Sequence, residues 1–543
     1  MGDPPASGPD SSSGVSGSSS ALESSALRRW RRFPAEVGAA WALGPVRQGF
    51  AGTFAIALGS FTPAYLPQAS PLWEPLRAIH FDGTAAKFVG TLIVIAGIWC
   101  LVDGWFRLRR SISDEVTAPA ILAIWSVPFL PAPPIFSHDA YSYGAQGWLI
   151  HNGINPYEAG PGALPGAFAD LVAWVWRYTP APYGPLSLQI QHGLVDLSGF
   201  HPMTAALLMR IPALIGVALI VALLPRITRR LGYDPRPVAW FACLNPLLVI
   251  DFVGGAHNDA LMMGLVVAAL WLACRPGAWP LAAVVVGIAA AIKQPAFLAA
   301  YILPLVARPI GTWPDPRLLA RSARKQGSAR VAAIVKAAGD FFRIAPWRLV
   351  FAAAGWAVVS LAVAVATFVL VSWACGLGFG WIDAVDVPGM ATTVSPSTLV
   401  GEAVQFVVDP GHRGYIRFFR GLGIALGFGL AVLFAVVIAP REPFRALAWG
   451  WLAIAFGAPA LHSWYVLWGT LILPLPPGRR IPRVAVVVVI VLLCYGAINL
   501  AWRNGNLALG IAAIGVFAWA VYYNEWRRRR GARGKQASLV SPS

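Results

Sequence analysis

Long apolar runs, separated by short polar stretches, recur along most of the chain. A helix that crosses a membrane needs roughly 20 mostly apolar residues, and fourteen runs reach or approach that length. They lie at 49–67, 86–104, 117–136, 203–225, 237–253, 258–274, 278–292, 295–307, 349–374, 415–439, 444–460, 463–476, 484–500 and 507–523. The pattern predicts an all-α, polytopic membrane protein with about 14 transmembrane helices, or 13 if two short neighbouring runs form one helix.

The polar stretches between the runs predict one membrane domain with tails and loops of different character. Residues 1–27 are rich in Ser, Gly and Pro and lack an apolar core, which indicates a disordered tail. The further divisions are a basic interfacial segment at 28–48, a single transmembrane domain at 49–525, external loops at 137–202 and 376–414, a basic cytoplasmic loop at 308–348 and a basic cytoplasmic tail at 526–543. Within the first external loop, 186–200 is too polar to span and predicts an amphipathic or re-entrant helix.

Composition supports the membrane assignment. The 543 residues are 57% hydrophobic and 12% charged, whereas a soluble domain carries about 25% charged residues. Five scattered cysteines without a CxxC pair argue against a disulfide framework and against a zinc site. With the N-terminus inside, 33 of the 42 Lys and Arg fall on the cytoplasmic side and eight outside. This is the positive-inside pattern, so the net charge of +18 indicates membrane orientation and not nucleic-acid binding.

The same orientation gathers the chemically able side chains on the outer face. All eight histidines fall outside or at outer helix ends, together with Asp139, Asp259, Lys293 and Gln294. A transport pathway predicts ionisable groups near the middle of the bilayer instead. The sequence therefore predicts a multi-pass plasma-membrane protein, both termini cytoplasmic, with its site on the outer (periplasmic) face.

Asp139 is the first candidate for chemistry. PAPP at 131–134 ends the third apolar run, since proline breaks a helix, and 141–151 can form a short surface helix that stops at the turn NGINP. That spacing places Tyr141, Ala145 and Trp148 on one face. An aspartate before a helix can simply be its N-cap, so this position alone leaves a structural and a catalytic role open.

Two further motifs offer polar groups at outer helix ends. FVGGAHNDALMMG at 252–264 holds His257, Asn258 and Asp259 in a tight turn, where one of them can cap the next helix. AIKQP at 291–295 places Lys293 just before a proline, where a lysine can also snorkel to the interface. Both the structural and the functional interpretations stay open from spacing alone.

A third group consists of cations and aromatic side chains. Arg413, Arg417 and Arg420 form an i, i+4, i+7 stripe that enters the bilayer from the positive-poor side, and Arg210 lies within a span. Because arginine binds phosphate through two parallel hydrogen bonds, these residues and Lys293 are candidates for an anionic ligand. LHSWYVLW at 461–468 adds His462, Trp464 and Tyr465, which form either a sugar platform or an ordinary interfacial belt.

Several of these segments, taken together, resemble a known family. They are FSHDAYSYGAQG (136–147), NGINPYEAGP (152–161), PAPYGP (180–185), LNPLLVIDFVGGAHNDALMMG (244–264) and AIKQP (291–295). The combination resembles the actinobacterial α-(1→6)-mannosyltransferases of lipomannan and lipoarabinomannan biosynthesis, which belong to the GT-C superfamily of multi-helix glycosyltransferases. The resemblance covers roughly residues 45–525 and favours the early-acting (B) type over the late-acting (A) type.

The resemblance implies an inverting enzyme that uses polyprenyl (decaprenyl) phosphomannose as donor. The acceptor is then a phosphatidylinositol mannoside or another lipid-anchored α-(1→6)-mannan, and Asp139 matches the catalytic base of the superfamily. Arg413, Arg417, Arg420, Lys293 and Arg210 become candidates for the donor phosphate. Candidates for sugar and acceptor contacts are His138, Tyr141, Tyr143, Trp148, His257, Asn258, Asp259, His462, Trp464 and Tyr465.

No cofactor is expected, since protein cations can supply the positive charge, although His257 and Asp259 could in principle bind a metal ion. Two alternatives stay open. One is a GT-C transferase with another polyprenyl-phosphate sugar, such as an arabinosyl or glucosyl donor. The other is a glycolipid or polyprenol flippase, which needs a hydrated cationic path that the apolar runs do not show.

Overall fold

The computed structural model describes residues 31–315, 330–384, 395–409, 411, 414–475 and 481–503. The predicted tail at 1–27, the last apolar run at 507–523, the tail at 526–543 and Arg413 lie outside the described residues. Within the described residues the chain is mostly helical and contains no β-strand.

The helices are numbered here in chain order. The first half contains α1 (31–42), α2 (Gly44–Ser60), α3 (Trp73–Ala78), α4 (Thr84–Leu108), α5 (Ala118–Ser126), α6 (Asp139–His151), α7 (Ala167–Asp170), α8 (Trp174–Arg177), α9 (Pro185–Leu197), α10 (Pro202–Leu208), α11 (Arg210–Arg230) and α12 (Arg236–Val238). The second half contains α13 (Asp259–Ala273), α14 (Trp279–Ala290), α15 (Leu303–Ala307), α16 (Arg330–Ile344), α17 (Trp347–Cys375), α18 (Pro396–Val408), α19 (Gly414–Val437), α20 (Pro443–Gly457), α21 (Tyr465–Thr470) and α22 (Arg483–Arg503).

Four of these elements are long and apolar enough to cross a membrane: α4, the continuous pair α10–α11, α17 and α19. A fifth is possible if the segments Arg236–Cys243 and Leu248–Gly254, which are bent by 52°, form one span. The chain therefore has the character of a membrane protein. The predicted count of about 14 spans, with both termini cytoplasmic, is not confirmed by the described residues and stays a prediction.

Several predicted runs are shorter or more broken than their hydropathy indicated. The run at 117–136 becomes α5 and a 3₁₀ turn at Val127–Phe129, because Pro128 cannot continue the helix. The run at 237–253 divides into two π-helical segments around Pro246. Proline lacks a backbone N–H donor, so the helix is interrupted there. Asn245 Oδ1 accepts the N–H of Leu247 at 3.0 Å, just before the second segment begins.

Close helix packing surrounds the site. Helix α2 lies directly on α4, where a Cβ built on Gly52 would come within 2.7 Å of the Gly97 carbonyl oxygen. Small residues that let two backbones approach in this way are typical of membrane helix pairs. Helices α11, α13, α14 and α17 pack in succession, α19 packs between α18 and α20, and the surface helix α6 lies on α9. The predicted polar segment at 186–200 is largely this helix α9.

Candidate active site

Asp139 is the first residue of α6 and not its N-cap. The N-cap position belongs to His138, which makes no side-chain cap hydrogen bond within the described residues, and the Asp139 N–H donates to Ser137 Oγ at 3.1 Å. Three residues earlier, Phe136 has a left-handed backbone with φ 64°. This conformation turns the chain sharply between the proline-rich segment and α6. The turn leaves the Asp139 side chain lining a cavity.

A second carboxylate, Asp259, is placed in the same way. It is the first residue of α13, after Asn258 as N-cap, and Ala256 three residues earlier has φ 57°. A left-handed backbone at a residue other than glycine is uncommon and costs about 1–3 kcal/mol, and such strain clusters at functional sites. The two strained turns are neighbours, since the Ile135 N–H donates to the Gly254 carbonyl at 3.4 Å.

Asp259 forms a buried ion pair with Lys293. Lys293 Nζ donates to Asp259 Oδ2 at 2.8 Å, and Trp468 Nε1 donates to Asp259 Oδ1 at the same distance. Asp259 is fully buried and the lysine side chain is 11% exposed. Burial alone would lower the pKa of Lys293, but the Asp259 carboxylate outweighs it, so the pKa is raised. Lys293 is therefore a fixed cation and not a snorkelling surface lysine.

The loop that carries Lys293 is held by a second motif. The Gly184 N–H donates to the Ile292 carbonyl at 3.1 Å, and the Leu186 N–H donates to the Ala291 carbonyl at 3.0 Å. A side chain at Gly184 would collide with the Ala291 carbonyl. The PAPYGP segment at 180–185 thus packs its backbone on AIKQP at 291–295, and this contact fixes the position of the cation.

Asp139 and Lys293 line one cavity of about 600 Å³. Its polar end also includes Ser142, Gln146, Thr179, Gln294 and His462. Its apolar part extends between α19 and α20 and is lined by Phe297, Leu298, Ile424, Phe428, Trp451, Ile454 and Ala455. The cavity thus joins a polar, charged end to an apolar groove beside α19, one of the candidate membrane spans.

Aromatic rings form one wall of the cavity. His462 stacks on Trp464 at 4.5 Å between ring centroids, and Tyr465 stacks on Trp468 at the same distance. His257 lies behind Trp464 at 3.7 Å, fully buried, and both its ring nitrogens lack a hydrogen-bond partner among the described residues. Burial, with the nearby Lys293 charge, lowers the pKa of His257 well below its usual value. His257 is therefore a neutral support for the wall.

The face of α6 that carries Tyr141 and Trp148 is turned away from this cavity. Tyr141 packs with Leu171 and Ala206, and Trp148 stacks on Phe168 at 5.1 Å. Tyr143 is also buried, and its hydroxyl donates to Asn258 Oδ1 at 3.4 Å. In this structure the three aromatic residues make packing contacts and do not line the cavity, and sugar contacts at these residues stay a prediction. Tyr141 and Trp148 lie opposite the polar face of α6, whereas Tyr143 packs edge-on against the cavity residue Tyr183.

Arg210 lies away from the cavity, among backbone carbonyl groups. It is 2% exposed, and its guanidinium donates to the carbonyls of Val253, Gly254, Ala132 and Leu130 at 3.1, 3.1, 2.6 and 3.4 Å. These carbonyls belong to the broken ends of two neighbouring segments, which have no intrahelical donors. The arginine supplies those donors, and it does not line the cavity.

The predicted arginine stripe on α19 is only partly near the cavity. Arg417 is exposed. Arg420 Nε donates to Thr398 Oγ1 at 3.0 Å, and Thr398 in turn donates to the carbonyl of Pro459, a cavity residue. Arg420 therefore lies at the rim, one turn before Ile424. Among the described residues, the predicted phosphate-binding cations are Arg210, Lys293, Arg417 and Arg420. Lys293 lines the cavity, and the three arginines do not.

Two other predicted residues lie close behind the site. His138 Nε2 is 3.2 Å from the Tyr65 carbonyl, and its ring packs edge-on against Tyr141. Asn258 Nδ2 donates to Ser187 Oγ at 3.3 Å beside a small second pocket. Their contacts support the turns that carry Asp139 and Asp259.

One group of side chains has the composition of a metal-binding cluster. The ligand atoms of His151, His192 and Asp196 lie within 4.8 Å of one another where α6 meets α9. His151 Nδ1 is 2.9 Å from Asp196 Oδ1, so a histidine–carboxylate hydrogen bond already joins the two helices. The cluster is partly exposed and does not line the cavity.

Several cavity residues were not among those predicted from the sequence. Ser142 and Gln146 follow Asp139 at i+3 and i+7, a spacing that places them on its helix face. Tyr183 and Trp468 surround Lys293, whose Nζ lies 5.6 and 5.8 Å from their ring centroids. The helical spacing could have identified Ser142 and Gln146, but contact between Tyr183 and Lys293 depends on packing of distant segments.

Comparisons with known proteins place the chain among related sequences. Residues 46–308 match a family model described as "Alpha-(1->6)-mannopyranosyltransferase, N-terminal domain". An alpha-(1->6)-mannopyranosyltransferase A of Mycobacterium tuberculosis is 28% identical, over 80% of this chain and 81% of the relative. Proteins of Corynebacterium glutamicum named alpha-(1->6)-mannopyranosyltransferase A and B are 26% and 25% identical, over 68% and 77% of this chain and 75% and 71% of the relatives. No solved structure matches the chain.

The matched segment 46–308 includes Asp139, Asp259 and Lys293, the three charged residues of the site. Relatives of the A and B types match with similar identity, so they do not decide between late-acting and early-acting enzymes. The chain is thus similar to alpha-(1->6)-mannopyranosyltransferases, in the matched segment and over most of its length, and it is a glycosyltransferase.

Proposed function

We propose that the protein transfers mannose from polyprenyl phosphomannose to a lipid-anchored α-(1→6)-mannan on the outer face of the plasma membrane. One observation carries the proposal: a single cavity joins Asp139 and Lys293 to an apolar groove between α19 and α20. A polyprenyl-phosphate sugar has the same order of parts, an apolar chain, an anionic phosphate and a polar sugar. The names of the relatives supply the mannosyl group and the α-(1→6) linkage.

In the proposed complex, the polyprenyl chain lies in the apolar groove and the phosphate lies near Lys293. One donor of the Lys293 ammonium is used by Asp259 Oδ2, and an ammonium has three donors. Lys293 lines the cavity, so a remaining donor can meet a phosphate oxygen. Arg420 at the rim is a second candidate cation. With these cations in place, the proposal requires no metal ion.

The chemistry is an inverting substitution at the anomeric carbon. The acceptor 6-hydroxyl oxygen attacks that carbon from the face opposite the phosphate, and its proton passes to an Asp139 oxygen. The bond from the anomeric carbon to the phosphate oxygen breaks, and its electron pair leaves with polyprenyl phosphate. A β-linked donor then gives an α-linked product through an oxocarbenium-like transition state. Lys293 stabilises the negative charge that develops on the leaving phosphate.

The direct test uses the purified full-length protein in lipid vesicles. It is supplied with polyprenyl phosphomannose and a short α-(1→6)-mannoside, and the product is analysed for linkage and anomeric configuration. We expect one new α-(1→6)-linked mannose. If the protein transferred a sugar only from an arabinosyl or glucosyl donor, the proposed mannosyl donor would be wrong and that sugar would take its place. Movement of the lipid across a vesicle membrane without any new glycosidic bond would contradict it.

Asp139→Asn tests the base. The amide keeps the size of the side chain but cannot accept the proton, so we expect the transfer rate to fall roughly 10²–10⁴-fold, with donor binding retained. Asp170→Asn is the control, because Asp170 is an exposed carboxylate of the same external loop and does not line the cavity. A near wild-type rate for a well-folded Asp139→Asn protein would show that Asp139 is not the base.

A further inference from the structure

The cavity face of α6 carries three polar side chains in a row. Asp139, Ser142 and Gln146 stand at i, i+3 and i+7, and all three line the cavity. At about 1.5 Å of rise per residue, the row extends roughly 10 Å along the helix from the carboxylate. Ser142 and Gln146 therefore face the part of a bound molecule that lies next to the hydroxyl group deprotonated by Asp139.

Ser142 and Gln146 each carry a buried polar oxygen that no described residue pairs. They are 3% and 4% exposed, and neither Ser142 Oγ nor Gln146 Oε1 has a hydrogen-bond partner among the described residues. Buried polar atoms are nearly always paired, since leaving one unpaired is unfavourable. Because both side chains line the cavity, the partners they lack can be supplied by a bound molecule. A hydroxyl group suits both atoms, since it can donate to the amide oxygen and either donate to or accept from the serine.

Their surroundings favour a carbohydrate. Trp176, Thr179 and Tyr183 line the same cavity and offer it aromatic rings and a hydroxyl group. Trp176 and Tyr183 also pack against the cluster that contains Ala140 and Tyr143 of α6. A sugar presents C–H-rich ring faces to aromatic side chains and hydroxyl groups to polar ones. The apolar groove is instead lined by residues such as Ile424 and Phe428, which offer no polar side-chain atoms to a sugar.

We propose that Ser142 and Gln146 form an acceptor subsite, which binds hydroxyl groups of the glycan that carries the attacking 6-hydroxyl. This inference rests on the proposed function. Asp139 must touch the acceptor to take its proton, so the continuation of the same helix face follows the acceptor chain. The donor is held elsewhere, with its phosphate near Lys293 and its lipid in the groove. Gln146, the residue farther from the base, contacts the acceptor beyond its reacting hydroxyl.

The test replaces Gln146 by leucine, which is similar in size and apolar. With saturating donor, we expect the KM for an α-(1→6)-linked mannose trisaccharide to rise roughly three- to tenfold, the loss of about one neutral hydrogen bond. The donor KM and the kcat at saturating acceptor should change less than twofold. The thermal stability should be equal or higher, because the substitution removes an unpaired buried oxygen. A purely structural role for Gln146 predicts the reverse, lower stability with an unchanged acceptor KM.

Gln191→Leu is the matched control. Gln191 is also buried with an unpaired Oε1, but it lies on α9 and does not line the cavity. We expect its acceptor KM to match the wild type. Ser142→Ala should raise the acceptor KM in the same direction as Gln146→Leu. An unchanged acceptor KM in Gln146→Leu, or a change confined to the donor KM, would overturn the subsite.

Binding of the trisaccharide alone, followed by tryptophan fluorescence, separates this inference from the proposed function. If the wild type forms no product but binds the trisaccharide more tightly than Gln146→Leu does, the proposed reaction fails and the subsite stands. If the wild type forms product while Gln146→Leu binds the trisaccharide equally well, the reaction stands and the subsite fails. No binding to the wild type at concentrations that saturate turnover would also overturn the subsite.

Discussion

At the scale of single residues, the Asp259–Lys293 pair is the best-defined feature of the site. Removing two charges from water is costly, and a buried pair compensates for this only when its geometry is good and its other atoms are bonded. Both Asp259 oxygens have donors, from Lys293 and from Trp468, at 2.8 Å. The pair therefore holds an ammonium group at the cavity wall, where a lone buried lysine would tend to lose its proton.

This arrangement predicts different outcomes for stability and for activity. Asp259→Asn leaves Lys293 buried without its counter-ion, and we expect a loss of stability of about 3–5 kcal/mol. The double variant Asp259→Asn with Lys293→Met removes both charges and should recover most of that stability. It should not recover activity, because the phosphate then has no cation at this wall.

Thermal unfolding in detergent and the transfer rate of the folded fraction measure the two quantities separately. Lys293→Met alone is the companion variant, because it keeps Asp259 and its bond to Trp468. If the double variant regained both stability and activity, Lys293 would have only a structural role.

At the scale of elements, the site depends on where helices are interrupted. Asp139 and Asp259 each open a helix three residues after a left-handed residue, Phe136 or Ala256. The interruptions leave free carbonyl groups at the ends of neighbouring segments, and Arg210 donates to four of them. A single arginine thus joins the segment before α6 to the segment before α13.

Arg210→Ala should therefore destabilise the protein and not weaken donor binding directly. It removes four hydrogen bonds to backbone carbonyls, three of them buried, while the Gly254 carbonyl keeps the Ile135 N–H as a donor. We expect the loss to cost about 3 kcal/mol in total. Arg210→Lys keeps the charge but not the planar fork, so we expect an intermediate loss. The measurements are thermal unfolding and the donor KM of the protein that remains folded.

The result that would contradict this role is a normal unfolding temperature with a strongly raised donor KM. That outcome would return Arg210 to the phosphate-binding role predicted from the sequence.

The same elements show what the sequence could and could not predict. The hydropathy pattern gave the bounds of α4, α17 and α19 closely, because long apolar runs leave few alternatives to a helix. Motif position placed Asp139, Lys293 and His462 at what proved to be one cavity. Spacing alone did not show which face of α6 lines the cavity, because tyrosine and tryptophan at helical spacing are equally typical of packing against a core.

Other errors came from partners that are distant in the chain. An arginine inside an apolar run indicates a functional charge by default. The sequence does not show that the carbonyls of Ala132 and Val253 meet Arg210. Likewise, the backbone contact between Gly184 and Ile292, which positions Lys293, joins segments more than 100 residues apart. Such contacts depend on tertiary packing, which periodicity does not encode.

At the scale of the whole molecule, one cavity connects short helices to candidate membrane spans. Asp139 and Gln146 belong to the short helix α6, whereas Ile424 and Phe428 belong to α19, a candidate span whose surface is largely exposed and apolar. A water-soluble sugar donor would need no apolar groove beside a lipid-facing helix. The arrangement suits the proposed donor, whose lipid chain stays in the bilayer while its sugar is transferred.

The groove therefore predicts that turnover depends on the length of the donor's lipid chain. Ile424→Trp narrows the groove at a position that is 40% exposed, so the larger side chain has room to fold. We expect the KM for a full-length polyprenyl phosphomannose to rise about tenfold, the equivalent of about two displaced CH₂ groups. The KM for a donor with a much shorter lipid chain should rise far less in the same variant. Leu430→Trp is the control on the same helix, since Leu430 is 42% exposed and does not line the cavity. If Ile424→Trp and Leu430→Trp had the same effect on the KM of both donors, the lipid chain would lie outside this groove. The charged end of the cavity would then have to select the donor by its phosphate and sugar alone.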